Sequence, residues 1–196
     1  FIFLSATLFS CASIHKNDSS NTSAGDNIGS SAADLLNSYW HVSGKLAIRA
    51  LSPNANSPSA QTLRFDWQQK AEDYNVTLTG PLGFGRVTVS QHNQRIHLRQ
   101  GKRHIEANDI DQLFAQQTGL NLPISYLRYW ALGIPSPEQP FTANNLDANK
   151  KSDHLLASFK QDGWQIHFPS VTLAAPYPLP SKMIASNEYF KLIIAF

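Results

Sequence analysis

Along most of the chain, apolar and polar residues alternate with a period of two. The first such run spans Val42 to Ala50, and further runs include Phe65, Tyr74, Val87 and Ile96. This period is typical of a strand that is covered on one face. Because the connections between these runs are short and polar, the pattern predicts an antiparallel meander.

The middle of the chain has a helical pattern instead. Asn108 can cap a helix that runs from Asp109 to Gln117. Pro123 suits the first position of a second helix that continues to Leu132. Gly133 is typical of the residue that ends such a helix.

After a polar loop the period of two resumes near Phe159 and continues through Trp164 and Lys182 to Phe196. The plan is therefore a β-meander, two helices and a second β-meander. Amphipathic strands need a cover for their apolar face, which the helices can supply. We predict a mainly β domain with helices (α+β), built as a strongly curved antiparallel sheet or incomplete barrel, with the helices plugging its concave side.

The apolar face of these elements defines the residues that we expect to point inward. They are Phe65, Trp67, Leu78, Val89, Leu98, Leu113, Leu127, Trp130, Trp164 and Ile166. Taken alone, such a set is more often an ordinary core than the lining of a hydrophobic cavity. A barrel of this size can enclose either one, and the sequence does not distinguish them.

The N-terminal residues have the pattern of an export signal. Residues 1–10 are mostly apolar and end at Cys11, the single cysteine of the chain. We interpret them as part of a lipoprotein-type signal peptide that is trimmed at its start, since no charged region or starting Met precedes them. Residues 11–30 are rich in Ser, Asn, Asp and Gly, which predicts a flexible tether. The alternative is a signal peptide cut elsewhere, which would leave Cys11 as a free thiol.

The composition and the motif content of the chain restrict the classes of function that it can have. The formal net charge is +2, so no strong field indicates nucleic-acid binding. The nucleophile-elbow, P-loop and zinc-protease motifs do not occur, and the seven histidines show no metal-ligand spacing along the chain. We therefore expect no enzyme activity, no cofactor and no metal site. Cys11 without a second cysteine excludes an internal disulfide.

One hairpin connection departs from the usual polar pattern. In Gly80-Pro81-Leu82-Gly83-Phe84-Gly85, Pro81 presets a turn and Gly83 permits positive φ. Leu82 is therefore an apolar residue at a hairpin tip. On its own, this pattern favours Leu82 or Phe84 folding back onto the core.

Several motifs together resemble one family. Leu8-Phe9-Ser10-Cys11 resembles a bacterial lipobox, and seven motifs follow it in order: Gly44-Lys45-Leu46, Phe65-x-Trp67-x-Gln69, Tyr74-x-Val76-x-Leu78-Thr79-Gly80-Pro81-Leu82-Gly83, Gly119-x-x-x-Pro123-x-x-x-Leu127-x-x-Trp130-x-x-Gly133-x-Pro135, Gln161-x-Gly163-Trp164, Leu179-Pro180-x-Lys182 and Lys191-Leu192. Their order is similar to that of the LolB family of outer-membrane lipoprotein receptors, across residues 35–196.

The resemblance implies a function and a location. Cys11 would be lipidated, and Ala12 after it favours the outer membrane, with the protein anchored on the periplasmic face. Residues 31–196 would form a LolB-like lipoprotein-binding domain that accepts lipoproteins from the periplasmic carrier LolA and acts as a monomer.

The resemblance also assigns roles to the residues already singled out. The inward-facing residues would line a cavity for the acyl chains of the cargo. Leu82, between Pro81 and Gly83, would contact outer-membrane phospholipid during insertion. The alternatives are a scaffold lipoprotein of the envelope and a lipid-binding lipoprotein with another cargo.

Overall fold

The computed structural model describes residues 34–51, 60–83, 85–118, 120–143, 157–174 and 177–196. Cys11, the tether and residues 52–59 of the Pro-rich loop lie outside these ranges. For Leu82 the description covers the backbone only.

The described residues form one large antiparallel sheet. Its strands are β1 (Tyr39–Ala50), β2 (Ala60–Lys70), β3 (Asp73–Thr79), β4 (Val87–His92), β5 (Arg95–Gln100), β6 (Arg103–Ala107), β7 (Phe141–Ala143), β8 (Ser158–Gln161), β9 (Trp164–Ala174), β10 (Tyr177–Ser186) and β11 (Phe190–Ala195). Their order is β6-β5-β4-β3-β2-β1-β11-β10-β9-β8-β7, so β1 and β11 join the two meanders. Among the described strands the sheet stays open, with β6 and β7 at its edges.

The strand register aligns apolar side chains into rows across the sheet. In one row, Phe159 lies opposite Ile166, Ile166 opposite Ala185, Ala185 opposite Leu192, and Leu192 opposite Ile48. All of these side chains are buried. Each large apolar side chain contributes about 1.5–3 kcal/mol when it leaves water, so this face of the sheet is the core.

The first predicted helix is present, but its cap differs by one residue. Helix α1 spans Ile110–Thr118. Asp109 caps it in place of Asn108: Oδ1 of Asp109 accepts hydrogen bonds from the backbone N–H groups of Asp111 at 2.8 Å and Gln112 at 3.0 Å. A carboxylate also interacts favourably with the positive end of the helix dipole, which an amide does less well.

The second predicted helix is shorter than its pattern suggests. A 3₁₀ turn (Ile124–Tyr126) leads into a single α-helical turn, α2 (Leu127–Trp130). Gly133, at φ 79°, ends this region as predicted, and its N–H donates to the carbonyl of Trp130 at 3.0 Å. Most residues from Leu120 to Ile134 are buried, and we attribute the conformation here to packing more than to helical periodicity.

The sequence did not predict two of the strands. In β6 only Ile105 and Ala107 face the core side, and both are half-buried. All three residues of β7 are exposed. Strands with so few buried positions carry too little alternation to be recognised from the sequence.

The junction between β1 and β11 depends on a glycine. A Cβ atom on Gly44 would lie 1.9 Å from the carbonyl oxygen of Ala195. That oxygen belongs to the backbone of β11, so it cannot rotate away as a side chain could. A side chain at this position would therefore push the two meanders apart.

We expect Gly44→Ala to lower the free energy of unfolding by about 2 kcal/mol or more, because the added methyl group overpacks the junction. Urea unfolding followed by tryptophan fluorescence measures the loss. Ser43→Ala, on the exposed face of the same strand, is the control and should change little. Equal losses in the two variants would contradict the close approach as the cause.

Candidate functional site

The residues predicted to face inward fall into two apolar clusters. We call the larger one the main cluster; it contains Phe65, Leu127, Trp130, Trp164 and Ile166 among its buried residues, with Trp67 and Leu78 packed against it. We call the smaller one the edge cluster; it consists of Ile96, Leu98 and Leu113, with Val89 packed against it. The structure thus brings together seven of the predicted residues in one group and three in another.

Residues 120–134, here called the helical segment, supply much of the main cluster. Trp130 is fully buried at 0% exposure. Its ring centroid lies 5.8 Å from that of Tyr126 in the same segment and 6.2 Å from that of Trp164 on β9. The helical segment and strands of both meanders therefore share one apolar interior.

A buried amide fixes the end of the helical segment. Gln161 on β8 is 2% exposed, and its Oε1 accepts hydrogen bonds from Trp130 Nε1 and from the backbone N–H of Ser136, each at 2.9 Å. Its Nε2 donates to the carbonyls of Ser136 at 2.7 Å and Gln139 at 2.8 Å. The two acceptor positions and the two N–H donors of this amide are all used, so its burial carries little penalty.

Helix α1 connects the two clusters. Leu113 is buried in the edge cluster, whereas the next residue, Phe114, packs against the main cluster. Asp111 ties the same helix to the helical segment: its Oδ2 accepts from Ser125 Oγ at 2.6 Å, and its Oδ1 accepts from the Ser125 N–H at 2.9 Å. Movement of the helical segment would therefore be transmitted to α1.

An ion pair joins the helical segment to the β2–β3 turn. Arg128 donates from Nη1 to Glu72 Oε2 at 2.6 Å and from Nη2 to the Tyr129 hydroxyl. Burial lowers the pKa of Arg128, but the hydrogen bonds to Glu72 and Tyr129 outweigh it and raise the pKa on balance. Burial, and next the charge of Asp111, raise the pKa of Tyr74 above its ordinary value. Tyr74 thus stays neutral and Arg128 charged at physiological pH.

A cleft of about 540 Å³ lies at the β2–β3 turn. Gln69, Glu72 and Tyr74 are among its lining residues, together with Gln91 and His92 of β4. None of the residues predicted to face inward lines it. This cleft is therefore separate from both clusters.

The loop that carries Leu82 forms a tight turn. Pro81–Gly83 is a 3₁₀ turn in which the Gly83 N–H donates to the Gly80 carbonyl at 3.2 Å. Gly83 has a φ of 82°, the left-handed conformation expected from its sequence. Pro81 and Gly83 are both exposed. The turn lies between β3 and β4, at the position that the sequence predicts.

Among the described helices, none combines the length and apolar character needed to cross a bilayer.

The sequence profile described as "LolB: Outer membrane lipoprotein LolB" matches residues 38–196. This chain belongs to the LolB family. The family's description confirms the outer-membrane location and lipoprotein class predicted from the sequence, and it names a lipoprotein rather than an enzyme.

Curated LolB relatives match most of the chain. The "Outer-membrane lipoprotein LolB" of Nitrosococcus oceani is 30% identical over 78% of this chain and 72% of its own length. Those of Chromohalobacter salexigens and Halorhodospira halophila are 31% and 32% identical over 74% of this chain. The matches cover 63% and 66% of these last two relatives, so the chain spans about two thirds of their length.

A solved structure shares the fold. A DUF1329 family protein from Desulfovibrio piger matches with a TM-score of 0.51, covering 88% of this chain and 89% of that one. The two are 9% identical, so the likeness concerns the fold alone.

Several residues of the LolB interior were not singled out from the sequence. Gln161 stood within a family motif, but its contacts with Trp130 and Ser136 depend on the meeting of distant segments. The pair of Arg128 and Glu72 joins residues 56 positions apart. The available signal for Gln161 was its position two residues after Phe159, which places both side chains on the same face of β8.

We expect Gln161→Ala to lower the free energy of unfolding by about 2–4 kcal/mol, because it leaves the buried N–H groups of Trp130 and Ser136 without partners. Urea unfolding and near-UV circular dichroism of Trp130 report the effect. Lys160→Ala, at the exposed neighbouring position of β8, is the control. A Gln161→Ala protein as stable as this control would show that the amide does not hold the helical segment.

Proposed function

We propose that this protein is an outer-membrane-anchored receptor for lipoproteins. It accepts lipoproteins from the periplasmic carrier LolA, holds their acyl chains in a hydrophobic cavity and inserts them into the inner leaflet of the outer membrane. The observation that carries this proposal is the apolar interior shared by the sheet and the helical segment, in a chain of the LolB family.

The acyl chains of the cargo enter between the helical segment and the strands on which it packs. Each methylene that leaves water contributes about 0.8 kcal/mol, which makes such an interior a favourable site for an acyl chain. Trp67 and Leu78 are half-buried beside the main cluster and suit the role of lining residues. Glu72 is 70% exposed, whereas the Arg128 side chain is 20% exposed, so opening this pair would leave a largely buried charge in need of another partner.

Anchoring and delivery are separate tasks in this proposal. Lipidated Cys11 and the tether keep the receptor at the membrane. Leu82, on the exposed turn between Pro81 and Gly83, contacts phospholipid when the cargo is released. A single leucine contributes about 1.5–3 kcal/mol on burial, which favours docking without holding the protein permanently.

A transfer experiment tests the function as a whole. Purified protein receives an acylated lipoprotein from LolA and then meets liposomes of outer-membrane phospholipid. We expect stoichiometric acceptance by a monomer and insertion into the liposomes. Binding to the envelope without acceptance would indicate a scaffold lipoprotein, and uptake of acyl probes without acceptance from LolA would indicate another cargo.

The variant Leu78→Trp tests whether Leu78 borders a cavity. If Leu78 borders a cavity, the larger ring fills it, and uptake of a fluorescent acyl probe falls several-fold while the melting temperature is retained. In a close-packed core the same change costs about 1–3 kcal/mol through overpacking. Thr77→Trp adds the same ring to the opposite face of β3 and serves as the control. Lower stability with normal uptake per folded molecule would contradict the lining role.

The delivery step is tested by Leu82→Glu. We expect the melting temperature and acceptance from LolA to change little, since the flanking Pro81 and Gly83 are exposed and substitutions on surface turns usually stay within about 0.5 kcal/mol. Insertion into liposomes should fall strongly, because the turn would bring a carboxylate among the headgroups.

Leu173 offers a matched control for this experiment. It is 88% exposed on β9, in a different hairpin. Leu173→Glu should leave insertion unchanged. If Leu82→Glu instead lowers the melting temperature while insertion per folded molecule is normal, Leu82 serves the core and not the membrane.

A further inference from the structure

The β5–β6 hairpin places three potential metal ligands on one face. His97 and Glu106 lie directly opposite each other in the strand register, and His104 lies two residues before Glu106 on β6. These positions alternate with Ile96 and Leu98, which are buried in the edge cluster. The histidines and the carboxylate therefore lie on the side of the hairpin that faces away from the core.

The distances between the ligand atoms fit a small cation. Nδ1 of His97 lies 3.3 Å from Nε2 of His104 and 3.6 Å from Oε1 of Glu106. One ligand atom from each residue can be chosen so that all lie within 4.8 Å of one another. A tetrahedral zinc ion with bonds of about 2.0–2.2 Å separates neighbouring ligand atoms by about 3.3–3.6 Å.

The chemistry of the three groups also restricts which cations can bind. Two imidazoles and one carboxylate suit borderline divalent metals such as Zn²⁺ better than Mg²⁺ or Ca²⁺, which prefer oxygen. His104 and Glu106 are exposed and His97 is partly exposed, so water can complete the coordination. Arg99, opposite His104 on the same face, adds a positive charge that weakens cation binding without removing a ligand.

We propose that His97, His104 and Glu106 form a binding site for Zn²⁺ or a similar borderline divalent cation. Spacing along the chain does not reveal this site, because the ligands meet only through the pairing of β5 with β6. The bound ion links these two strands at the edge of the sheet. It stabilises the hairpin that carries Leu98 and so the adjoining edge cluster.

The test uses the full chain without a histidine tag. Equilibrium dialysis measures bound zinc, and Co²⁺ in its place reports tetrahedral coordination through its visible absorption. We expect one Zn²⁺ per chain and a higher melting temperature in its presence. His97→Ala and His104→Ala should each weaken binding by at least about tenfold. Binding should also weaken as the pH falls, because the metal competes with protons for the imidazoles.

His41→Ala is the matched control. His41 is also a strand histidine close to a carboxylate, with Nε2 2.8 Å from Asp66 Oδ2, but the described residues place no second histidine beside it. Zinc affinity should be unchanged in this variant. The proposal is overturned if the unaltered chain binds no zinc in excess metal, or if His41→Ala loses as much affinity as His97→Ala. Circular dichroism establishes that each variant is folded before its affinity is compared.

Discussion

The side chain of Gln161 fixes the geometry on which the interior depends. Its carboxamide accepts from Trp130 Nε1 and the Ser136 N–H and donates to two backbone carbonyls; the contacts with Trp130 and Ser136 are buried, and the one with Gln139 is partly buried. In a low-dielectric environment these hydrogen bonds are strong, and leaving any of them unmade is costly. A non-directional apolar contact would let the Trp130 ring slide, whereas the amide selects one position for it.

Polar contacts hold the helical segment at three points. Toward its C-terminal end, Trp130 and Ser136 bond to a buried amide. Two residues before Trp130, Arg128 meets Glu72, whose side chain is largely exposed to water and salt. Toward the N-terminal part of the segment, Ser125 bonds to Asp111 of α1. The segment is therefore fixed most firmly near Trp130, where its hydrogen-bonding partner is a buried amide.

The sequence predicted the parts of the molecule that depend on local pattern. The runs around Val42, Phe65, Tyr74 and Trp164 became strands, and the inward-facing residues are buried or half-buried. What the sequence missed arises from pairing between distant residues. β6 and β7 are strands mainly because a neighbour offers them a hydrogen-bonding edge, and we attribute the shortness of α2 to tertiary packing, which overrides the helical period.

The candidate site likewise contains features that local sequence pattern predicts and features that it does not. Its apolar residues could be selected by periodicity, but their division into two clusters could not, since adjacent residues of α1, Leu113 and Phe114, belong to different clusters. The role of Gln161 and the grouping of His97 with His104 depend on register, which a period of two leaves undetermined. The roles of Cys11 and Leu82 came from resemblance to a family and concern events at a membrane.

The two edge strands of the described sheet determine how readily other chains in the periplasm can pair with it. Open sheets expose unpaired backbone groups that can recruit strands from other chains. Here β6 carries Arg103, His104 and Glu106 at exposed positions, and β7 is only three residues long. The charged residues of β6 and the short length of β7 both disfavour pairing with a strand from another chain.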